Sequence, residues 1–92
     1  MYKIKAVAPT AYQYTSLGWF NMPIKPVGNG SYISERLSDT EEEAKEYLTD
    51  IARNYYEFND GKLEDALKDI AAAGILEIDT IVARIEEIFE EQ

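Results

Sequence analysis

The sequence lacks histidine and cysteine, two of the side chains that most often carry chemistry in enzymes. Without histidine, the chain has neither the commonest general base nor the commonest metal ligand. Without cysteine, it can form neither a disulfide nor a thiolate. Gly28-Asn29-Gly30 is not part of a phosphate-binding motif, and Tyr56 and Phe58 occupy ligand positions of the one turn that could suggest a calcium loop. We therefore predict that the protein is not an enzyme, has no catalytic residue and uses neither a cofactor nor a metal ion.

Long apolar runs are also missing, and basic residues are scarce. No window approaches the ~18 apolar residues that a membrane-spanning helix needs, and residues 1–9 alternate lysine with apolar residues and do not resemble a signal sequence. We expect one soluble, cytoplasmic domain over residues 1–92, without a membrane partner. The net charge is −9, and an anionic chain repels phosphates, so we expect no direct binding to nucleic acid.

The acidic residues are concentrated in one part of the chain. Seventeen of the eighteen lie from Ser38 onward, together with only five of the nine basic residues. Glu42, Glu46 and Asp50 stand four residues apart, and like charges at this spacing cost a helix about 0.2–0.5 kcal/mol per pair. The commoner explanation of such a pattern is that the acidic residues are only the solvated face of a small protein. Solubility alone does not require these placements, however, so a negative field directed at a basic partner is the second interpretation.

The first 37 residues have the pattern of β-strands. Regular alternation predicts a strand over 2–8, and weaker patterns predict two more over 19–25 and 31–37. Pro26 to Gly30 is predicted to be a turn, because glycine and asparagine accept the positive φ that tight hairpins need.

The remaining residues have helical periodicity. Either Thr40 with Glu43 or Ser38 with Glu41 offers a capping box, and we predict helices over 40–58, 62–73 and 79–90. Residues 75–78 are ambiguous and also fit a short strand. Strands followed by helices indicate an α+β fold, in which an N-terminal antiparallel sheet of two to three strands packs against three C-terminal helices.

Aromatic residues form a second candidate surface. Tyr12, Tyr14 and Trp19 lie in the N-terminal half, whereas Tyr55 fits the buried stripe of the first predicted helix and is expected to pack in the core. Exposed tyrosine and tryptophan are typical anchors of protein interfaces. We therefore predict Tyr12, Tyr14 and Trp19 as partner contacts if the protein is an interaction or adaptor module, or a small subunit of an assembly, which is the alternative function.

Small size, strong negative charge and helix-borne carboxylates together resemble the small acidic proteins that phages and mobile elements use against host defences, among them anti-CRISPR proteins and antirestriction DNA mimics. The segment Tyr14 to Trp19, after the first predicted strand, is also similar to a tyrosine–glycine–tryptophan segment of antirestriction proteins, although Gly18 and Trp19 are adjacent here. The resemblance implies a non-enzymatic inhibitor, acting in the host cytoplasm if a phage encodes it. Its carboxylates would occupy the basic channel of a nuclease or CRISPR effector.

The candidate contacts for such a basic partner are carboxylates on the first and third predicted helices. They are Glu42, Glu43, Glu46, Asp50, Glu86, Glu87, Glu90 and Glu91. If they form one coherent patch, neutralising either cluster should weaken partner binding more than it disturbs folding.

Overall fold

The structure is a computed structural model that describes residues 1–10, 13–57 and 60–89. It has an α+β fold, in which two long helices pack on one face of an antiparallel sheet. The elements in chain order are β1 (Tyr2–Ala8), α1 (Tyr14–Leu17), a 3₁₀ turn (Gly18–Phe20), β2 (Ile24–Pro26), β3 (Tyr32–Ser38), α2 (Glu41–Tyr55), α3 (Asp60–Ala73), β4 (Ile75–Ile78) and β5 (Ile81–Glu87). None of the helices in the described ranges has the length and apolar character needed to span a membrane.

The sheet is organised around β1. The strand order is β2-β3-β1-β5-β4, and every neighbouring pair is antiparallel. At the centre of the sheet Ala6 lies opposite Ser34 on one side and Ala83 on the other, and all three are fully buried. Small side chains in this row leave room for the helical layer to approach the sheet closely.

The core lies between this face of the sheet and the two long helices. Helix α2 contributes Leu48 and Ile51, and α3 contributes Ile70, at helical spacing that places them on the inner side. From the sheet, Ile4 and Ile81 point into the same layer. Burying a side chain of this size stabilises the fold by about 1.5–3 kcal/mol, so the layer fixes the orientation of both helices.

Helix α2 begins with the cap that one of the two predicted alternatives supplies. The backbone N–H of Glu43 donates to Oγ1 of Thr40 at 3.1 Å. Three glutamates, Glu41, Glu42 and Glu43, occupy the first turn, where the positive end of the helix dipole favours them. The capping chemistry therefore also sets where the acidic residues of α2 start.

Helix α3 ends at Gly74, which has φ +64. A Cβ atom at this position would meet Cβ of Ile85 at 3.2 Å. Glycine is therefore required at this position for two reasons: the left-handed conformation disfavours other residues, and β5 passes close to the backbone.

We expect Gly74→Ala to lower the free energy of unfolding by about 1–2 kcal/mol, since a side chain in the left-handed region costs roughly that amount. Gly61→Ala is the matched control. Gly61 lies inside α3 with no neighbouring atom within 4 Å of an added Cβ, so alanine should stabilise the chain by about 0.4–1 kcal/mol. Urea denaturation measures the free energy of unfolding of both variants. An unchanged value for Gly74→Ala would contradict the close packing of Ile85.

The prediction of an α+β fold with an antiparallel sheet is confirmed, but the strand count and placement were wrong. The sheet has five strands within the described residues, and β4 and β5 follow the long helices. The predicted helix over 79–90 is instead a two-residue turn followed by β5, which pairs with β1. Ile81, Ala83 and Ile85 face the helical layer in alternation, and the pairing with β1 decides between this period and a helical one.

The strand predicted over 19–25 was also wrong for most of its length. Gly18–Phe20 forms the 3₁₀ turn, and Asn21 has a left-handed φ of +54, so the extended segment is limited to Ile24–Pro26. Pro23 lacks the N–H that a ladder requires, and β2 lies at one edge of the sheet.

Candidate functional site

Helix α2 carries the first cluster of predicted contacts on its solvent side. We define the acidic ridge as five exposed carboxylates on α2 and in the turn before it. They are Asp39, Glu42, Glu43, Glu46 and Asp50. The cap at Thr40 fixes the residue at which the helix begins, and helical spacing then brings Glu43, Glu46 and Asp50 to the same side.

A shallow cleft of about 360 Å³ runs beside the acidic ridge, between α2 and the end of β3. Four carboxylates line it, but Arg36 is the only cation among its lining residues. The Arg36 guanidinium lies 4.4 Å from the ring centroid of Tyr47, a cation–π contact. The Tyr47 hydroxyl contacts the carbonyl oxygens of Phe20 and Asn21 at 2.8 and 2.9 Å. The cleft therefore has one guanidinium against four carboxylates, and its field stays negative.

Of the basic residues on α2, Lys45 pairs outside the acidic ridge, whereas Arg53 lies on the ridge side three residues after Asp50. Lys45 forms an ion pair with Glu41 at 3.0 Å and also donates to the carbonyl oxygen of Ala71. It is therefore directed towards α3 and away from the cleft beside Tyr47.

The charge asymmetry of the sequence becomes an asymmetry between two faces of the molecule. On β1, Lys3 and Lys5 alternate with buried Ile4 and Ala6 and so lie on the face that α2 and α3 do not cover. Arg84 lies opposite Lys5 on the same face. Lys3 pairs there with Glu35 at 2.9 Å, and Lys3 holds the pKa of that carboxyl below its ordinary value. These cations lie across the sheet from the acidic ridge.

The second cluster of predicted contacts does not join the ridge. Glu86 and Glu87 lie on β5, not on a helix, and consecutive residues of a strand point to opposite faces. Glu86 is opposite Lys3 on the uncovered face, and Glu87 is opposite Tyr2 at the end of the sheet. The prediction of a carboxylate cluster on a third helix was therefore wrong for these two residues. Glu90 and Glu91 lie outside the described residues.

Two of the three predicted aromatic contacts are exposed. Tyr14 is 44% exposed and meets Tyr32 edge to face at 4.8 Å. Trp19 is 48% exposed and meets Tyr55 edge to face at 4.9 Å. Tyr12 lies outside the described residues. Tyr14 and Trp19 are thus half exposed and half packed on other rings, an arrangement that limits their motion.

Comparison with protein-family models, curated proteins and solved structures finds no match to this chain. Its function has therefore to be inferred from the geometry of its own residues.

A second cleft, missed by sequence analysis, lies where the C-terminal end of α2 meets the β4–β5 hairpin. We call it the tyrosine cleft and define it by its lining residues. They are Tyr55, Tyr56, Lys62, Asp65, Ala66, Glu77 and Asp79. The two rings are nearly perpendicular, with centroids 4.7 Å apart. A signal for the cleft was the Asp79-Thr80 pair between two isoleucines, which is compatible with a tight hairpin turn.

Asp79 organises this region. The hydroxyl of Tyr55 donates to its Oδ1 at 3.0 Å and that of Ser16 to its Oδ2 at 2.9 Å. Asp79 itself has φ +55, a conformation that aspartate tolerates better than most residues. The neighbouring Thr80 hydroxyl accepts a hydrogen bond from the side-chain amide of Gln13. The hairpin turn is thus tied both to α2 and to the segment around α1.

Three tyrosines, on α2 and at its C-terminal cap, make the stability of the fold depend on pH in the alkaline range. Burial, and then the charge of nearby carboxylates, raises the pKa of Tyr55 and of Tyr56 above the ordinary value. Burial likewise raises the pKa of Tyr47, although Arg36 opposes it. A raised pKa in the folded state contributes stability that is complete below the unfolded value, near pH 10, and is lost as pH rises through the folded value.

We therefore expect the free energy of unfolding to fall as pH rises above about 10. Tyrosinate absorbance and urea denaturation at matched pH values measure the two sides of this linkage. The doubly substituted Tyr55→Phe, Tyr56→Phe chain should lose less stability over the same interval. An equal loss in both chains would assign the alkaline transition to other groups.

Proposed function

We propose that the protein is a non-enzymatic inhibitor that binds a basic nucleic-acid-binding protein through the acidic ridge, as a DNA mimic of the anti-CRISPR type does. The observation that carries the proposal is the ridge itself: the five exposed carboxylates that define it follow one helix and the turn before it. Four of them line one cleft, and among the described residues that line it Arg36 is the only cation. Like charges four residues apart oppose helix formation, so their retention on one side favours a role in binding.

The spacing of these carboxylates supports mimicry of a phosphate backbone. At about 1.5 Å of rise per residue, Glu43, Glu46 and Asp50 extend over roughly 10 Å of α2. Phosphates of one DNA strand recur about every 3.4 Å along the duplex axis. The rise between neighbouring carboxylates of this run is about 4.5 or 6 Å. This rise and the phosphate spacing both lie within the Debye length of about 8 Å at physiological salt. Neighbouring carboxylates of the ridge therefore act on a cationic surface together, as neighbouring phosphates do.

The partner that fits this surface is a protein with a lysine- and arginine-lined channel, such as a nuclease or a CRISPR effector. Such a channel is arranged to neutralise phosphates, so an acidic ridge competes for the same residues. The cations of the uncovered sheet face lie away from the contact and do not repel the partner. Inhibition then follows from occupancy, without turnover.

A second candidate function is an adaptor module that recognises its partner through exposed aromatics. The observation in its favour is the half-exposed pair Tyr14 and Trp19, each held edge to face against another tyrosine. Rigid aromatic anchors of this kind are common at interface hot spots.

Salt and DNA separate the two candidates. The chain is immobilised, exposed to bacterial lysate at about 50 mM salt, and eluted either with duplex DNA or by raising salt to about 200 mM, a range over which phosphate-like contacts weaken strongly. Inhibition through the ridge predicts a captured protein that both treatments release. A captured protein that neither treatment releases would contradict it and favour the aromatic surface.

A further inference from the structure

The tyrosine cleft is a preformed site separate from the acidic ridge. It has a volume of about 360 Å³, at the lower end of the range for ligand pockets and suited to a single side chain. Residues of α2, of α3 and of the β4–β5 hairpin line it, and none of them belongs to the ridge. It lies at the C-terminal end of α2, whereas the ridge occupies the N-terminal part of that helix.

Both rings of the cleft are fixed by hydrogen bonds to the hairpin. The Tyr55 hydroxyl donates to Asp79, and the Tyr56 hydroxyl donates to the carbonyl oxygen of Glu77 at 2.9 Å. The ring of Trp19 also packs edge to face against the ring of Tyr55. A ligand that contacts these rings therefore does not have to immobilise them, which lowers the entropic cost of binding.

The charge of the cleft is negative. Three carboxylate residues, Asp65, Glu77 and Asp79, line it together with one ammonium, that of Lys62. The field reaches the phenols, since Glu77 and Asp79 add to the effect of burial in raising the pKa of Tyr56. Among the described residues no three acidic side chains are grouped so that they could hold a metal ion. Aromatic rings beside dispersed carboxylates suit a larger, organic cation.

We propose that the tyrosine cleft binds the guanidinium group of an arginine side chain. Guanidinium is planar and weakly hydrated, stacks on aromatic rings, and donates hydrogen bonds to carboxylates in a fixed geometry. The cleft supplies both kinds of contact, with rings from α2 and exposed Asp65 from α3. The source of the arginine rests on the proposed function: a basic partner that lies along the ridge would extend an arginine past the end of α2. The affinity of the cleft for guanidinium does not rest on it.

The test uses N-acetyl-arginine amide as the probe and N-acetyl-citrulline amide, its uncharged isostere, as the control ligand. Each is titrated into the full chain, with backbone amide chemical shifts and Trp19 fluorescence as readouts. We expect the arginine probe to perturb Tyr55, Tyr56 and Asp65 saturably in the millimolar range. The citrulline probe should bind at least about fivefold more weakly, because it lacks the cation.

Two variants of α3 test the carboxylate. Asp65→Asn should weaken binding of the arginine probe roughly threefold or more. Asp69→Asn, with the same change of charge one turn further along α3, should leave it unchanged. Both positions are exposed, and the remaining amide resonances report whether each variant keeps its fold. Tyr56→Phe keeps the ring and should bind within about twofold of the parent chain.

The possible outcomes distinguish the cleft from the ridge. Equal binding of the arginine and citrulline probes, or equal affinity of the Asp65→Asn and Asp69→Asn chains, would overturn the proposal. Perturbations confined to Glu43, Glu46 and Asp50 would also overturn it, while leaving the proposed function intact. Saturable binding of arginine at the cleft, in a chain that captures no partner released by duplex DNA, would support the site and reject the proposed function.

Discussion

Neutralising four carboxylates of the acidic ridge should weaken binding of the captured basic partner by at least about fivefold. Exposed ion pairs contribute about 0.2–1 kcal/mol each, so four of them amount to about 1–4 kcal/mol, and each 1.4 kcal/mol is a factor of about ten. The substitutions are Glu42→Gln, Glu43→Gln, Glu46→Gln and Asp50→Asn. The dissociation constant for the purified partner measures the effect, and its salt dependence should become shallower in the variant.

The matched control carries the same change of net charge elsewhere on the molecule. Its substitutions are Glu64→Gln, Asp69→Asn, Glu86→Gln and Glu87→Gln. Two of these positions are on α3 and two on β5, away from the ridge, so the dissociation constant should change by less than about threefold. An unchanged affinity in the ridge variant, or an equal loss in the control, would exclude the ridge as the contact surface.

One of the ridge substitutions should stabilise the fold while it weakens partner binding. Glu46 stands four residues from both Glu42 and Asp50, so Glu46→Gln alone removes two like-charge contacts. We expect it to raise the free energy of unfolding by about 0.4–1 kcal/mol while it weakens partner binding. A residue that improves folding when it is removed and harms binding is retained for binding, so this pair of measurements also tests the view that the ridge is merely solvated.

Truncation of Phe20 should have the largest effect on folding. Phe20→Ala is expected to lower the free energy of unfolding by about 3–5 kcal/mol, the usual cost of deleting a buried aromatic ring. Phe20 is fully buried, and its carbonyl oxygen accepts a hydrogen bond from Tyr47 of α2. The ring therefore anchors the segment that carries Tyr14 and Trp19 to the core. With the total stability of a small domain at about 5–15 kcal/mol, this single change approaches the point of unfolding.

Urea denaturation measures the loss, and neighbouring Trp19 supplies the control. The Trp19 side chain is larger than that of Phe20, but it is half exposed, so less of its surface is buried. Trp19→Ala should therefore cost less than about 2 kcal/mol. Phe20→Leu should lie between these two values. A loss below about 1 kcal/mol in the Phe20→Ala chain would show that the 3₁₀ turn is not held by its buried ring.

The elements that local sequence signals define were predicted close to their observed bounds. Strand β1 follows from the alternation of side chains over 2–8, and α2 follows from the cap at Thr40 and its apolar stripe. Because a helix repeats about every 3.6 residues, exposure of Glu43, Glu46 and Asp50 on one side of α2 followed as well. The ridge could thus be predicted as soon as the helix was.

Strand β5 could not be predicted in this way. Its apolar residues match both a helical and an alternating period, and short apolar runs do not separate the two. The choice is made by hydrogen bonds to β1, where Tyr2 lies opposite Glu87, a contact between distant parts of the sequence. The error also placed Glu86 and Glu87 in a helical cluster that does not exist. It further concealed the hairpin at Asp79, which lines one side of the tyrosine cleft.

The central place of β1 affects how the chain folds as it is synthesised. Residues 2–8 are synthesised before the other strands, and their second neighbour in the sheet, β5, is made some seventy residues later. Pairings between such distant segments are slow to form. Until β5 arrives, one edge of β1 exposes unpaired N–H and C=O groups that can template aggregation. Lys3 and Lys5, which alternate along β1, place like charges at that edge and should deter two nascent chains from joining there.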